Sequence, residues 1–164
     1  MFLQYELCRK DDYMPERNFK FKDINVTGRH VRIKVDMSRF EKNFQDAQKW
    51  LDSQVMTSML PFMPRVTGTF IDNTRAKSIS LAGSGIVCAG YKPHGQFLYG
   101  GKVMVDPVTG SAWARKDAGK VLTNKPLTYS NPQATPQWFE TAKRRDGDMW
   151  VREVKKRAGG NNAS

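Results

Sequence analysis

Between residues 38 and 60 apolar side chains recur with the period of a helix. Phe40, Phe44, Ala47 and Leu51 follow at steps of four, three and four, and Val55 and Met59 widen the stripe they form. At about 100° per residue this spacing keeps all six on one side of an α-helix. Ser38 and Glu41 stand in the Ser-x-x-Glu relation of a capping box, which sets the start. Pro61 lacks an amide hydrogen and clashes with the preceding turn, so the helix is expected to end near Leu60, and Pro64 repeats the stop. The chain then turns at Arg65-Val66-Thr67-Gly68 and is expected to enter a sheet by Phe70.

A period of two marks the strands. Leu3, Tyr5 and Leu7 alternate with Gln4 and Glu6, and Val31, Ile33 and Val35 alternate with Arg32 and Lys34. Turn chemistry lies between them at Asp11-Asp12-Tyr13-Met14-Pro15 and Val26-Thr27-Gly28. Residues 1–35 thus read either as an extra hairpin on a sheet edge or as an arm that docks on a neighbouring subunit. Further along, Lys77–Ala82 with Ile79 and Leu81 on one face, the Gly83-Ser84-Gly85 turn and Ile86–Ala89 predict a β-hairpin.

From residue 90 to 105 aromatic bulk (Tyr91, Phe97, Tyr99) mixes with Gly90, Gly95, Gly100 and Gly101, as in an aromatic-lined loop covering the core. Residues 106–134 show little periodicity and read as a long, mostly irregular excursion. Thr135 is placed to cap a second helix with Pro136 at its first position. Phe139, Ala142, Met149, Trp150 and Val154 supply its apolar spacing, Asp146-Gly147-Asp148 weakens its middle, and Lys155-Lys156-Arg157 complements the dipole at its end. Residues 159–164 read as a flexible tail. The expected fold class is α+β, a small antiparallel sheet against the long helix with a second, C-terminal helix and long loops, in one domain over residues 1–164.

Charge changes this picture more than length does. Against a chain of 164 residues the formal net charge is +11. Counterion release rewards clustered Lys and Arg on nucleic acid, whereas scattered ones form solvated faces. Local density occurs at residues 17–22, 29–34 and 143–157, and both readings stay open. No run reaches the ~18 to 20 apolar residues of a membrane span, so a soluble protein made in the cytoplasm is expected, with no membrane partner. The two cysteines, Cys8 and Cys88, lack partner spacing for zinc and read as reduced thiols.

Catalytic chemistry finds no support in the pattern. His30 and His94 stand in no ligand spacing, so no metal is expected. Around Gly101-Lys102 a phosphate loop fails twice, because Gln96 replaces its first glycine and Val103 its magnesium-binding hydroxyl. Gly83-Ser84-Gly85 lacks the third glycine of a dinucleotide fingerprint, where Cys88 stands. The protein is therefore read as a non-enzyme without cofactors. Basic and aromatic residues mingle at 91–102 and 138–145, where bases could stack beside cations, although aromatics on a first helical turn more commonly anchor the helix.

The order of parts carries a resemblance. A long helix, Pro64-x-x-Thr67-Gly68-x-Phe70, two short strands, the aromatic and glycine stretch at Tyr91–Gly101, and a closing helix opened by Pro136-Gln137-Trp138-Phe139-Glu140-x-Ala142-Lys143 resemble the minor capsid and head-tail connector proteins of tailed bacteriophages, with the related tail-completion proteins. The likeness spans residues 31–158, and the connection at 106–134 is longer here than in that family. The resemblance implies a virion protein of the neck, six copies in a ring joining head to tail, with DNA passing through. It implies partners in adaptor or stopper proteins on one side and the tail terminator or tail tube on the other. Arg65, Thr67, Gly68, Tyr99 and Trp138 are the candidate interface residues, each with a turn or core role as its alternative. The rival function is a small basic nucleic-acid-binding protein.

Overall fold

A computed structural model describes the backbone of residues 4–8, 19–91 and 94–159, and side chains over 19–90 and 95–159. The expected turn at 11–15 and the tail beyond residue 159 lie outside the described residues. The fold is α+β. In chain order the elements are β1 (Gln4–Cys8), β2 (Ile24–Thr27), β3 (Arg32–Val35), α1 (Ser38–Met59), α2 (Thr69–Ser80), β4 (Ile86–Tyr91), α3 (His94–Gly100), β5 (Lys102–Val105), β6 (Val121–Pro126) and α4 (Trp138–Arg157), with a short 3-10 turn at Leu60–Phe62. Two antiparallel pairs, β2–β3 and β5–β6, accompany a parallel pair of β1 with β4.

The long helix α1 has the predicted extent, and its buried face places Leu51, Val55, Met56 and Met59 against Trp138, Phe139, Ala142 and Trp150 of α4. Burying these side chains, at roughly 25 cal/mol per Å² of apolar surface, is the main force joining the helices. Strand β4 is buried along its described length and faces two ways. Val87 packs into the α1–α4 core, while Ile86 and Cys88 pack with Leu81 on the other side. A strand covered on both faces reads as continuous apolar sequence, as Ile-Val-Cys-Ala does here.

The start of α1 differs in mechanism from the expected capping box. Met37 occupies the cap position and Ser38 is already helical. Asp36 Oδ1 accepts the Ser38 N–H (2.9 Å), Asp23 Oδ1 accepts the Met37 N–H (3.1 Å), and Glu41 is drawn away to accept the Phe21 N–H (2.7 Å). Two aspartates thus outcompete the serine hydroxyl, and the Ser38 amide holds the Asp36 carboxyl below its ordinary range.

The expected sheet after Phe70 is corrected: residues 69–80 are helical, so no hairpin spans 77–89. Gly68, at φ +92°, takes the left-handed conformation that turns the chain into α2, and its carbonyl accepts the Asp72 N–H (3.0 Å). The buried residues of α2 are Thr74 and Ser78 rather than apolar ones. Thr74 Oγ1 donates to the Phe70 carbonyl (2.7 Å), and Ser78 Oγ accepts the Cys88 N–H (3.1 Å), so both hydroxyls are satisfied in the interior. Ile79, which the strand reading turned inward, is exposed. The Gly83-Ser84-Gly85 turn connects α2 to β4, and buried Asp52 of α1 accepts the Gly83 N–H (2.7 Å) and the Gly85 N–H (3.2 Å).

Three further expectations change. The aromatic stretch contains α3 and β5 rather than a loop, while the excursion at 106–134 is mostly irregular as expected, with β6 inside it paired with β5. Helix α4 begins at Trp138 behind Gln137 at φ +51°, not at Pro136; Thr135 donates its N–H to the Phe62 carbonyl (3.0 Å). The helix also runs unbroken through Asp146-Gly147-Asp148, ending on Lys155, Lys156 and Arg157 as expected. Among the described residues no helix is long and apolar enough to cross a membrane.

Candidate interface

Three of the five candidate contact residues converge. Pro61 and Pro64 stop α1, and the short link to α2 brings Arg65, Thr67 and Gly68 to one side of a cleft of about 500 Å³. Ile71, Asp72 and Arg75 of α2 form another wall, and Asn131 and Gln133 close it from the loop before α4. Asn131 is tied in place, donating from Nδ2 to the carbonyls of Pro61 (3.1 Å) and Met63 (3.3 Å). Two guanidinium groups against one carboxylate leave the cleft net positive. Its chemistry is that of a polar contact surface for acidic or hydrogen-bonding groups.

Trp138 and Tyr99 lie elsewhere, Trp138 in the interior and Tyr99 half-buried against it. Trp138 has no exposed surface, donates from Nε1 to the Ala89 carbonyl (2.7 Å), and meets the rings of Tyr99 and Phe70 edge to face at centroid distances of 4.8 and 6.1 Å. It anchors α4 to β4 and offers nothing to a partner. The same burial removes Trp138 and Phe139 from base stacking. Arg145 lies over the Phe62 ring (4.9 Å) and is paired with Asp146 (2.7 Å), so this cation serves the chain's own packing. Hydrogen bonding from Arg145 in turn holds the Asp146 carboxyl below its usual range. Gly101-Lys102 forms the junction of α3 with β5. Among the described residues no three His, Cys, Asp or Glu side chains gather to hold a metal.

Two surfaces escaped the candidate residues. The first is the β2–β3 hairpin. Its register sets Ile24 opposite Val35 and Val26 opposite Ile33, and Asn25 opposite Lys34 and Thr27 opposite Arg32. Side chains alternate across a strand, so one face is wholly apolar and the other polar. On the apolar face Ile24, Val26 and Ile33 remain about half exposed, at 50, 53 and 49%. The hairpin is tethered at its root, where Phe19 and Phe21 pack on Phe44 of α1 at centroid distances of 5.8 and 5.4 Å. The alternation of β3 was legible in the sequence; β2 was not, because Val26 and Thr27, expected in a turn with Gly28, are instead paired in the strand with Ile33 and Arg32.

The second surface is a groove of about 540 Å³ along α4, lined by Leu51 of α1 and by Trp150, Val151 and Val154. Its signal in the sequence was Gly147, a glycine in the middle of an otherwise helical pattern. Comparison of the chain with protein-family models, with characterised proteins and with solved structures returns no match.

Proposed function

We propose that the protein is a structural component of a tailed-phage neck, assembling as a ring between head vertex and tail through which DNA passes. The observation that supports this reading is the apolar face of the β2–β3 hairpin. An isolated two-stranded hairpin is marginally stable in water, and a contiguous exposed apolar face marks a surface that another chain covers. A projecting hairpin that docks on a different surface of the next copy makes a heterologous contact, and such contacts close into rings when their rotation divides the circle. Six copies are the number the family resemblance implies. The cleft holding Arg65, Thr67 and Gly68 offers a separate polar contact for the adaptor, stopper, terminator or tail-tube neighbours of the neck. DNA in the channel would meet basic side chains without sequence preference.

The test is cryo-electron microscopy of the assembled particle together with native mass spectrometry of the full chain. Density for this chain in a closed ring between head and tail is the expected result, with Ile33→Lys leaving the fold intact and preventing ring formation. Intact particles without the chain in the neck would overturn the proposal. The rival nucleic-acid reading rests on Arg32 and Lys34 sharing the hairpin's polar face. It requires duplex binding that weakens steeply between low and moderate salt, and a chain that does not bind at low salt removes it.

A further inference from the structure

The α4 groove combines three features that packing within the chain does not explain. First, its apolar lining is open on one side: Val151 is 55% exposed, although Trp150 and Leu51 beside it are buried. Secondly, Gly147 lines it near the middle of α4. Glycine in a helix interior is less stable than alanine. Nothing in the fold requires it, since an added Cβ would meet only Lys143 Cγ at 3.8 Å, an ordinary contact. Thirdly, the Trp150 indole N–H is buried and has no acceptor among the described residues, although buried indoles ordinarily have one. A bare Cα on an exposed helical stripe lets another backbone come close.

Charge selects the occupant. Lys143, Gly147, Val151 and Lys155 recur every four residues, so they run along one side of α4. Lys143 and Lys155 bracket the apolar strip about 18 Å apart, at ~1.5 Å of rise per residue. Asp148 lies at the same rim, yet α4 as a whole carries seven basic residues against four acidic ones. A second copy of α4 would meet this surface with like charge, and so would the hairpin, whose polar face carries Arg32 and Lys34. We propose that the groove docks an acidic amphipathic helix of a partner protein, crossing α4 at Gly147 with apolar residues on Val151 and Val154 and carboxylates at Lys143 and Lys155. This inference is independent of the ring proposed above.

The experiment uses the full chain and a fluorescently labelled synthetic helix of about 15 residues, long enough to hold some helicity alone. It carries leucines at helical spacing flanked by glutamates. A control peptide keeps the leucines and replaces each glutamate by lysine. Fluorescence anisotropy should show the acidic peptide binding at least about tenfold more tightly than the basic one, because like charges set opposite one another are strongly unfavourable. Val151→Glu should abolish binding, and Lys143→Glu with Lys155→Glu should reverse the charge preference. Gly147→Ala supplies a readout that a purely structural glycine would not give. It should raise the melting temperature by about 2–4 °C and weaken the acidic peptide at least about fivefold. Equal affinity for the two peptides, binding unchanged in Val151→Glu, absence of binding at millimolar peptide, or a stabilised Gly147→Ala chain with full affinity would each overturn the proposal.

Discussion

Strand β4 and the β2–β3 hairpin both carry isoleucine and valine, and these side chains meet opposite fates. In β4, Val87, Cys88 and Ala89 have no exposed surface and lie between α2 on one side and the α1–α4 core on the other. In the hairpin, Ile24, Val26 and Ile33 alternate with polar residues and remain half in water. The difference lies in what surrounds each segment. Helices reach β4 from both sides and bond to it directly, through Ser78 to the Cys88 N–H and Trp138 to the Ala89 carbonyl. Among the described residues the hairpin is held near its root, by Phe19 and Phe21 on Phe44 and by Asp23 on the Met37 N–H. Strand hydrophobicity marks an apolar face without fixing what lies against it.

The largest expected effect breaks the β4 side of this comparison. Trp138→Ala removes a fully buried indole, its edge contacts with Tyr99 and Phe70, and the donor to the Ala89 carbonyl. Large aromatic-to-alanine changes in cores cost about 3–5 kcal/mol, and the orphaned carbonyl places this one towards the upper end. Urea denaturation should show it as a lower midpoint with the slope unchanged. A loss below about 1 kcal/mol would mean that α4 is not anchored to β4 through this residue.

Next comes the turn that delivers the chain into β4. Asp52→Ala leaves the Gly83 and Gly85 amides without their carboxylate in a dry setting and strips Gln48 Nε2 of its 2.8 Å acceptor. A cost of about 3 kcal/mol is expected from the lost charge-assisted bonds. Asp52→Asn keeps one acceptor oxygen and should recover part of it. Hydrogen exchange at residues 83–90 is the measurement, and protection there should fall further than in the β5–β6 pair.

These buried polar groups also explain what was legible in the sequence. Helix α1 was, because most of its inward face is apolar despite buried Gln48, Asp52 and Ser58, and Pro61 ends it; β3 was, from its period of two. Helix α2 was not, because Thr74 and Ser78 occupy its inward face and Ile79 its outer one, which inverts the signal that periodicity reads. Strand β6 escaped for a related reason: most of its side chains are exposed, so its place is set by pairing with β5. Among the site residues, the link at 65–68 could be read from Pro64 and Gly68. That Arg75 and Asn131 join it is a consequence of tertiary packing over long sequence separations.

Acid should separate the loop after β5 from both regions. Asp106 is buried and accepts the N–H groups of Val108 (2.8 Å), Thr109 (3.0 Å) and Arg115 (3.1 Å) as well as Arg115 Nε (3.1 Å). These backbone hydrogen bonds, led by that of Thr109, hold its carboxyl far below the ordinary carboxylate range. Since the folded value is the lower one, the stabilisation is fully present above the unfolded value near about pH 4 and is lost as the pH falls below it. Asp106→Asn should therefore lower the melting temperature at neutral pH, and its deficit against the natural chain should shrink on acidification. A deficit that stays constant from neutral pH to pH ~2 would show that the charge contributes nothing.

The smallest effect on stability sharpens the comparison most. Val26→Ser and Ile33→Ser each remove half-exposed apolar surface from a face that the chain itself leaves in water. Substitutions at such positions usually change folding stability by less than about 0.5 kcal/mol, so urea midpoints of the isolated monomer should move little. Measured by sedimentation, self-association should weaken in both, and more in the double variant, whose two sites are directly opposed. If instead each variant destabilises the monomer by more than about 1.5 kcal/mol, the hairpin face belongs to the chain's own core and β2–β3 resembles β4 after all.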